Sequence, residues 1–212
     1  MGRKPFQTDP QTPYHLCARA NAREWFALNQ KHIWEIMSDY LHFSHHAFGT
    51  QIHSFVLMRN HFHMIASFPN GNLSEASQYF MRETSRSIAK ASGRINHVYG
   101  ARIFRSRLAS LHYYEHAYKY IYRNPVEVGA ATTVEGHPYS TLSGLLGLTR
   151  LTIPLIEDTL LFTDMEETLR WLNTKPSNEN RAAVQSALRR ADFKLKKSPS
   201  SRKPHELETM RL

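Results

Sequence analysis

Apolar positions along the chain change period several times, and each change marks an expected element. "PYHLCARAN" (13–21) reads as a first strand. Over 29–47, "NQKHIWEIMSDYLHFSHHA" places Ile33, Ile36, Met37, Tyr40 and Leu41 at helical spacing, an amphipathic helix that Gly49 stops. Apolar stretches at about 50–58 and 61–68 follow, with only Arg59-Asn60 between them, which implies an antiparallel hairpin. "PNGN" (69–72) is a turn, and Ser74 reads as the N-cap of a long helix to about Lys90 with the stripe Leu73, Ala76, Phe80, Thr84, Ile88. "RIFRSRLASL" (102–111) alternates like a strand. "YYEHAYKYIYRNPV" (113–126) reads as a helix that ends at Asn124, because a proline disfavours helical geometry in the residue before it.

The order strand, helix, strand, strand, helix, strand, helix is a split β-α-β pattern. It implies an α+β fold, a ferredoxin-like antiparallel sheet with helices on one face. At 212 residues the chain is long enough for one sizeable core with an appendage, or for two small domains. Residues 1–12 read as a flexible lead, 13–148 as the main domain, 149–196 as a helical extension and 197–212 as a basic, disordered tail. No internal repeat is visible.

Charge narrows the class of partner. Lys and Arg number 27 against 18 Asp and Glu, a formal charge of +9. That favours a polyanion, nucleic acid first and an acidic membrane surface second. The single cysteine, Cys17, excludes an intramolecular disulfide framework and a cysteine-based zinc site, and reads as a small buried residue. No stretch approaches the roughly 20 apolar residues of a membrane span, and "MGRKPFQTDPQTP" has no apolar signal core. The expectation is a cytoplasmic, nucleoid-associated protein.

Candidate chemistry sits in "VLMRNHFHMIASF" (56–68). Strand side chains alternate, so His61 and His63 share a face while Phe62 and Met64 point into core. Two imidazoles at this spacing suit one metal ion, or are two polar residues on a solvated face. His42, His45 and His46 offer a second spacing, but no carboxylate completes a zinc-protease motif there. The helix at 113–124 carries Tyr113, Tyr114, Tyr118, Tyr120 and Tyr122. Tyr120 and Asn124 stand one turn apart and face the same place. Phenol, carboxamide and two imidazoles form a kit for phosphodiester attack; the plainer alternatives are a core tyrosine and a helix-capping asparagine. Arg102, Arg105 and Arg107 either meet phosphates or form a solvated face.

"VLMRNHFHMI" followed by "YKYIYRNPVEVG" resembles the single-tyrosine HUH transposases, in particular the REP-associated branch. "YHLCARANAREWF", "RIFRSRLAS" and "HPYSTLSG" extend the resemblance over about 13–147. It implies His61 and His63 as ligands of Mg²⁺ or Mn²⁺, Asn124 as third ligand and Tyr120 as nucleophile. Arg59, Arg102, Arg105, Arg107 and Arg123 are then expected on single-stranded or hairpin DNA. Monomers and homodimers both occur among such relatives. Arg59, Glu127 and Val128 depart from the family pattern, which bears on the DNA sequence recognised. The implied activity is a metal-dependent single-strand endonuclease and strand transferase with a 5′-phosphotyrosine intermediate. Alternatives are a domesticated hairpin-binding protein without turnover and a replication-initiator or relaxase-like nickase, although the chain has no Walker-type phosphate loop.

Overall fold

A computed structural model of the chain describes residues 6–196 and 204–208. Strands β1 (Tyr14–Arg19), β2 (Gln51–Leu57), β3 (His61–Ser67) and β4 (Phe104–Arg107) form one antiparallel sheet in the order β2-β3-β1-β4. Helices α1 (Gln30–Phe48) and α2 (Leu73–Ser92) are the crossovers, and α3 (Leu111–Glu127) follows β4. The expected split β-α-β arrangement is therefore present. Beyond it lie short helices α4 (Thr141–Leu145), α5 (Thr159–Thr163), α6 (Met165–Asn173) and α7 (Asn178–Ala187).

The two faces of the sheet carry separate cores. Leu16 and Ala18 of β1, Phe55 and Leu57 of β2, and Phe62 and Met64 of β3 pack with Ile33, Met37 and Leu41 of α1 and Phe80 and Ile88 of α2. Each fully buried side chain of this size stabilises by about 1.5–3 kcal/mol. The crossover helices lie on one face as expected, but the other face is not bare. Val56 and Ile65 pack there with Ala117, Tyr118 and Ile121 of α3, and with Leu172 of α6 and Val184 and Ala187 of α7. The extension at 149–196 thus contributes to both cores, Ile153 to the first and Leu172, Val184 and Ala187 to the second.

Several boundaries differ from expectation, each for a local reason. Asn72 rather than Ser74 precedes α2, and its side-chain amide donates to the Phe48 carbonyl at 2.9 Å, tying the helix start to the end of α1. Ser110 caps α3 by accepting from the Tyr113 backbone N–H, so the helix starts earlier and β4 is only four residues long. Nor does α3 end at Asn124. It runs through Pro125 to Glu127, because Pro125 is buried and an Arg123–Glu127 ion pair staples the last turn. Those contacts outweigh the single backbone bond a proline forfeits.

Both sheet edges are covered. The β2 edge meets 139–141: the Leu57 N–H donates to the Tyr139 carbonyl, and Thr141 Oγ1 bonds both backbone groups of Phe55. The β4 edge meets 191–193 through Arg107 backbone bonds to Ala191 and Phe193. Covered edges remove a template for aggregation. The lead and tail are in part ordered too. The Phe6 ring packs on Tyr14, while residues 206–208 form a 3₁₀ turn with Tyr113 donating to Glu208. The remainder of the expected lead and tail, 1–5, 197–203 and 209–212, lies outside the described residues. Among the described residues, no helix is long and apolar enough to cross a membrane.

Candidate active site

Register builds the site. β1 pairs with β3 so that Cys17 lies opposite His63 and Arg19 opposite His61. His15, Cys17, Arg19, His61 and His63 therefore share the sheet face that α3 covers. The His61 and His63 rings stand 4.9 Å apart and nearly perpendicular. Asn60 Oδ1 lies 2.7 Å from His61 Nδ1, and His15 Nε2 lies 2.8 Å from His63 Nδ1. Each of the two histidines thus commits Nδ1 to the protein, and Nε2 has no hydrogen-bond partner among the described residues. Burial pushes the His61 imidazole down to about 4 and His63 well below the usual value; neighbouring His15 and Arg19 add to the shifts. Both rings are neutral at pH 7, the form that binds metal.

This pair fits a divalent cation. Among the described residues, no group of three or more His, Cys, Asp and Glu has metal-holding geometry, so further ligands would be neutral oxygens or water. Asn124 is buried on α3 with its side-chain amide donating to the Tyr120 carbonyl at 3.1 Å, and its Oδ1 has no hydrogen-bond partner among the described residues. Two imidazole nitrogens with oxygen donors are compatible with Mn²⁺ and Mg²⁺. His42, His45 and His46 cluster on the far end of α1, where His45 Nδ1 bonds the Thr50 carbonyl.

The tyrosines of α3 separate cleanly. Tyr120 sets its ring edge-on to His63, with centroids 5.8 Å apart. Tyr118 donates to Asp158 at 2.6 Å, Tyr122 bonds Thr141 at 3.0 Å, and Tyr113 reaches Glu208. Tyr114 lies against His53. Burial raises the Tyr120 phenol above its ordinary value; Gln185 and Arg181 of α7, and Asn124, pull the other way by favouring the phenolate. Beside Tyr120 opens a cavity of about 380 Å³ lined in part by Lys119, Asn124, Trp171 and Arg181.

The expected arginines do not all gather here. Arg105 and Arg107 pair in register with Leu16 and Tyr14, so they project from the opposite face of the sheet. Arg105 lies over the Phe6 ring, and Arg107 bonds Asp192 and Asp9. Arg123 is buried, donating to Glu127 and to the carbonyls of Leu172 and Asn173. It holds α6 to α3 and is not on the surface. Arg59, stacked over Trp25, and Arg102 are exposed. The cation that the fold does place beside the histidines is Arg19, exposed on β1. Arg19 and His15 were missed because strand pairing, not sequence proximity, brings them to β3; their signal was the period-two series His15, Cys17, Arg19.

No curated protein matches the chain. A solved structure of a REP-associated tyrosine transposase bound to a REP hairpin superposes with TM-score 0.56 at 18% identity, over 75% of this chain and 94% of that one. A putative transposase from Deinococcus radiodurans R1 gives TM-score 0.39 at 14% identity, over 57% and 94%. The first likeness establishes a shared fold. Residues 9–124, from the lead through β1–β4 to Asn124, match the IS200-like transposase family, and the chain belongs to that family of DNA-acting transposases.

Proposed function

We propose that this transposase is a single-strand DNA nickase and strand transferase that works through a 5′-phosphotyrosine on Tyr120. The observation that carries the reading is the edge-on contact of Tyr120 with His63, when every other tyrosine of α3 is turned to a different partner. Tyr120 Oη forms the bond to phosphorus and the bond from phosphorus to the 3′-oxygen breaks. The 3′-oxygen leaves as a hydroxyl, so the phenol proton is balanced. A 3′-hydroxyl from another end reverses the step and joins strands, because the phosphotyrosine conserves the energy of the phosphodiester.

Mg²⁺ or Mn²⁺, held by His61, His63 and Asn124, would neutralise charge on the phosphoryl oxygens and favour the phenolate. The chain's own residues do the rest. Burial beside His63 fixes the phenol, while Arg181 favours its ionised form. Arg19 offers a phosphate contact on the same face. Arg59 and Arg102 provide further exposed cations. Hairpin-flanked single-stranded DNA is the proposed substrate, supported by the charge of +9 and by the hairpin-bound structural neighbour. A phenol on a helix reaches an unpaired phosphodiester more readily than one in duplex. One chain brings Tyr120 to its own histidines, which supports a monomer as the working unit. Membership of a DNA-acting family supports a cytoplasmic, nucleoid-associated location.

The deciding experiment incubates the full chain with labelled hairpin-flanked single strands and Mn²⁺, then maps the covalent adduct by peptide mass spectrometry. The nucleotide is expected on Tyr120, and Tyr120→Phe is expected to bind DNA without an adduct. An adduct on Tyr113, Tyr114, Tyr118 or Tyr122 would overturn the assignment. The burial of Tyr120 favours one second reading, a hairpin-binding protein without turnover. Tight, salt-sensitive hairpin binding with no adduct under any divalent ion would select it.

A further inference from the structure

His15 has no part in the chemistry above, yet it is hydrogen-bonded to a proposed ligand. It is 2% exposed on β1, its ring stacks on His63 with centroids 5.1 Å apart, and its Nε2 lies 2.8 Å from His63 Nδ1. Two neutral imidazoles sharing one hydrogen bond have two arrangements. Either His63 Nδ1–H donates to His15 Nε2, or His15 Nε2–H donates to His63 Nδ1. Only the first leaves His63 Nε2 with a bare lone pair; the second places a proton on that atom and blocks it as a ligand. In the first arrangement His15 carries its proton on Nδ1. That atom is buried without a hydrogen-bond partner among the described residues. Its direct cross-strand neighbour on β4 is Ser106, whose hydroxyl is equally buried and equally without a partner. The register puts these two unpaired groups on one face of neighbouring strands, with no hydrogen bond between them.

We propose that His15 is a positioning residue. It accepts from His63 Nδ1–H, holds the His63 ring edge-on to Tyr120 and fixes the tautomer that presents Nε2. The inference rests on the reading of His63 as a metal ligand, but its first consequence is visible without metal. A ligating histidine ordinarily donates its other nitrogen to a carboxylate, a carbonyl or water; here a second histidine takes that place.

The test uses the full chain labelled with ¹⁵N in its histidines. In the metal-free protein at pH 7.5, imidazole nitrogen shifts are expected to show His63 as the Nδ1–H form. His15→Phe, which keeps a flat ring and removes the acceptor, is expected to lose that form and to weaken Mn²⁺ binding, read by electron paramagnetic resonance, by about 10–100-fold. His15→Gln, whose side-chain oxygen can accept in the same place, is expected to keep the Nδ1–H form of His63 and to restore Mn²⁺ binding, and failing to do so would overturn the proposal. Finding His63 protonated on Nε2 in the parent protein would overturn the proposal. So would equal Mn²⁺ affinity in the parent and a folded His15→Phe. Should His15→Phe fail to fold, the parent tautomer and the His15→Gln affinity still decide. If His63→Ala leaves Mn²⁺ binding unchanged, the metal reading itself fails, and the nitrogen shifts judge the role of His15 separately.

Discussion

Arg123 offers the sharpest contrast between a residue that looks like a DNA contact and one that holds the protein together. Its guanidinium donates through Nε and Nη2 to Glu127 Oε1 at 3.1 and 2.9 Å, and through Nη1 to the Leu172 and Asn173 carbonyls at 3.0 and 2.7 Å. Its side chain is 6% exposed and that of Glu127 11%. Arg123→Ala strips four hydrogen bonds at once and leaves a buried carboxylate short of its partner. Removing one member of a buried pair costs about 3–5 kcal/mol. Glu127 keeps a second partner, Arg181 at 3.3 Å, which places this case near the lower end of the range. In a chain of this size a loss of about 3 kcal/mol lowers the melting temperature by about 6–12 °C. Thermal unfolding measures that directly. Hairpin-DNA affinity is read in parallel as a function of salt. Arg123→Ala is expected to leave the salt slope unchanged, whereas Arg19→Ala is expected to reduce it by about 0.7–0.9, one phosphate contact. A melting temperature within about 2 °C of the parent, combined with a shallower salt slope for Arg123→Ala, would place the guanidinium on DNA and refute the reasoning.

Three further outcomes follow from the same geometry. His61→Ala and His63→Ala should each abolish cleavage of single-stranded DNA while retaining hairpin binding, and full nicking by the double variant would remove the pair from the chemistry. Tyr118→Phe deletes the buried bond to Asp158 and should destabilise by about 1–3 kcal/mol while the covalent adduct still forms; an adduct lost in a folded Tyr118→Phe protein would implicate the wrong phenol here. Burial lowers His15 to about 3 and His53 and His61 to about 4, against 6.5 for a free imidazole. Below pH 6.5 the unfolded chain therefore binds protons that the folded one refuses, and stability present above that value is lost as the pH falls towards 4. Each such histidine costs about 1.4 kcal/mol per pH unit in that window, so a melting temperature flat from pH 7 to pH 5 would contradict the burial of these rings.

What was legible in the chain was whatever periodicity and local order encode. The stripe Leu73, Ala76, Phe80, Thr84, Ile88 is buried in α2 in full, with Ser77 added to it. The alternation that set His61 and His63 opposite Phe62 and Met64 survives intact, because a half-buried strand must turn alternate side chains to different cores. Helical geometry put Tyr120 and Asn124 on one face; the family resemblance, not geometry, picked Tyr120 as the tyrosine to meet the histidines. The arginines of β4 show where this reasoning stops. Their period of two was plain, but the face they occupy is set by register with β1, and Leu16 opposite Arg105 settles it away from the histidines. Arg123 misled for a related reason. A lone cation on a helix reads as solvated until a later segment folds back to bury it, and α6, some fifty residues on, does so. Pro125 read as a stop because its local preference is against the helix, whereas tertiary packing held the last turn closed. His15 is the most instructive case. In "PYHLCARAN" period two puts it on one face with Cys17 and Arg19, but says nothing of what that face meets. Its meaning appears only when β1 lies beside β3, and 48 residues of sequence separation become 2.8 Å between two nitrogens. Local pattern with the family resemblance thus singled out the residues proposed to act on phosphate, while strand pairing brought forward His15 and Arg19 beside them.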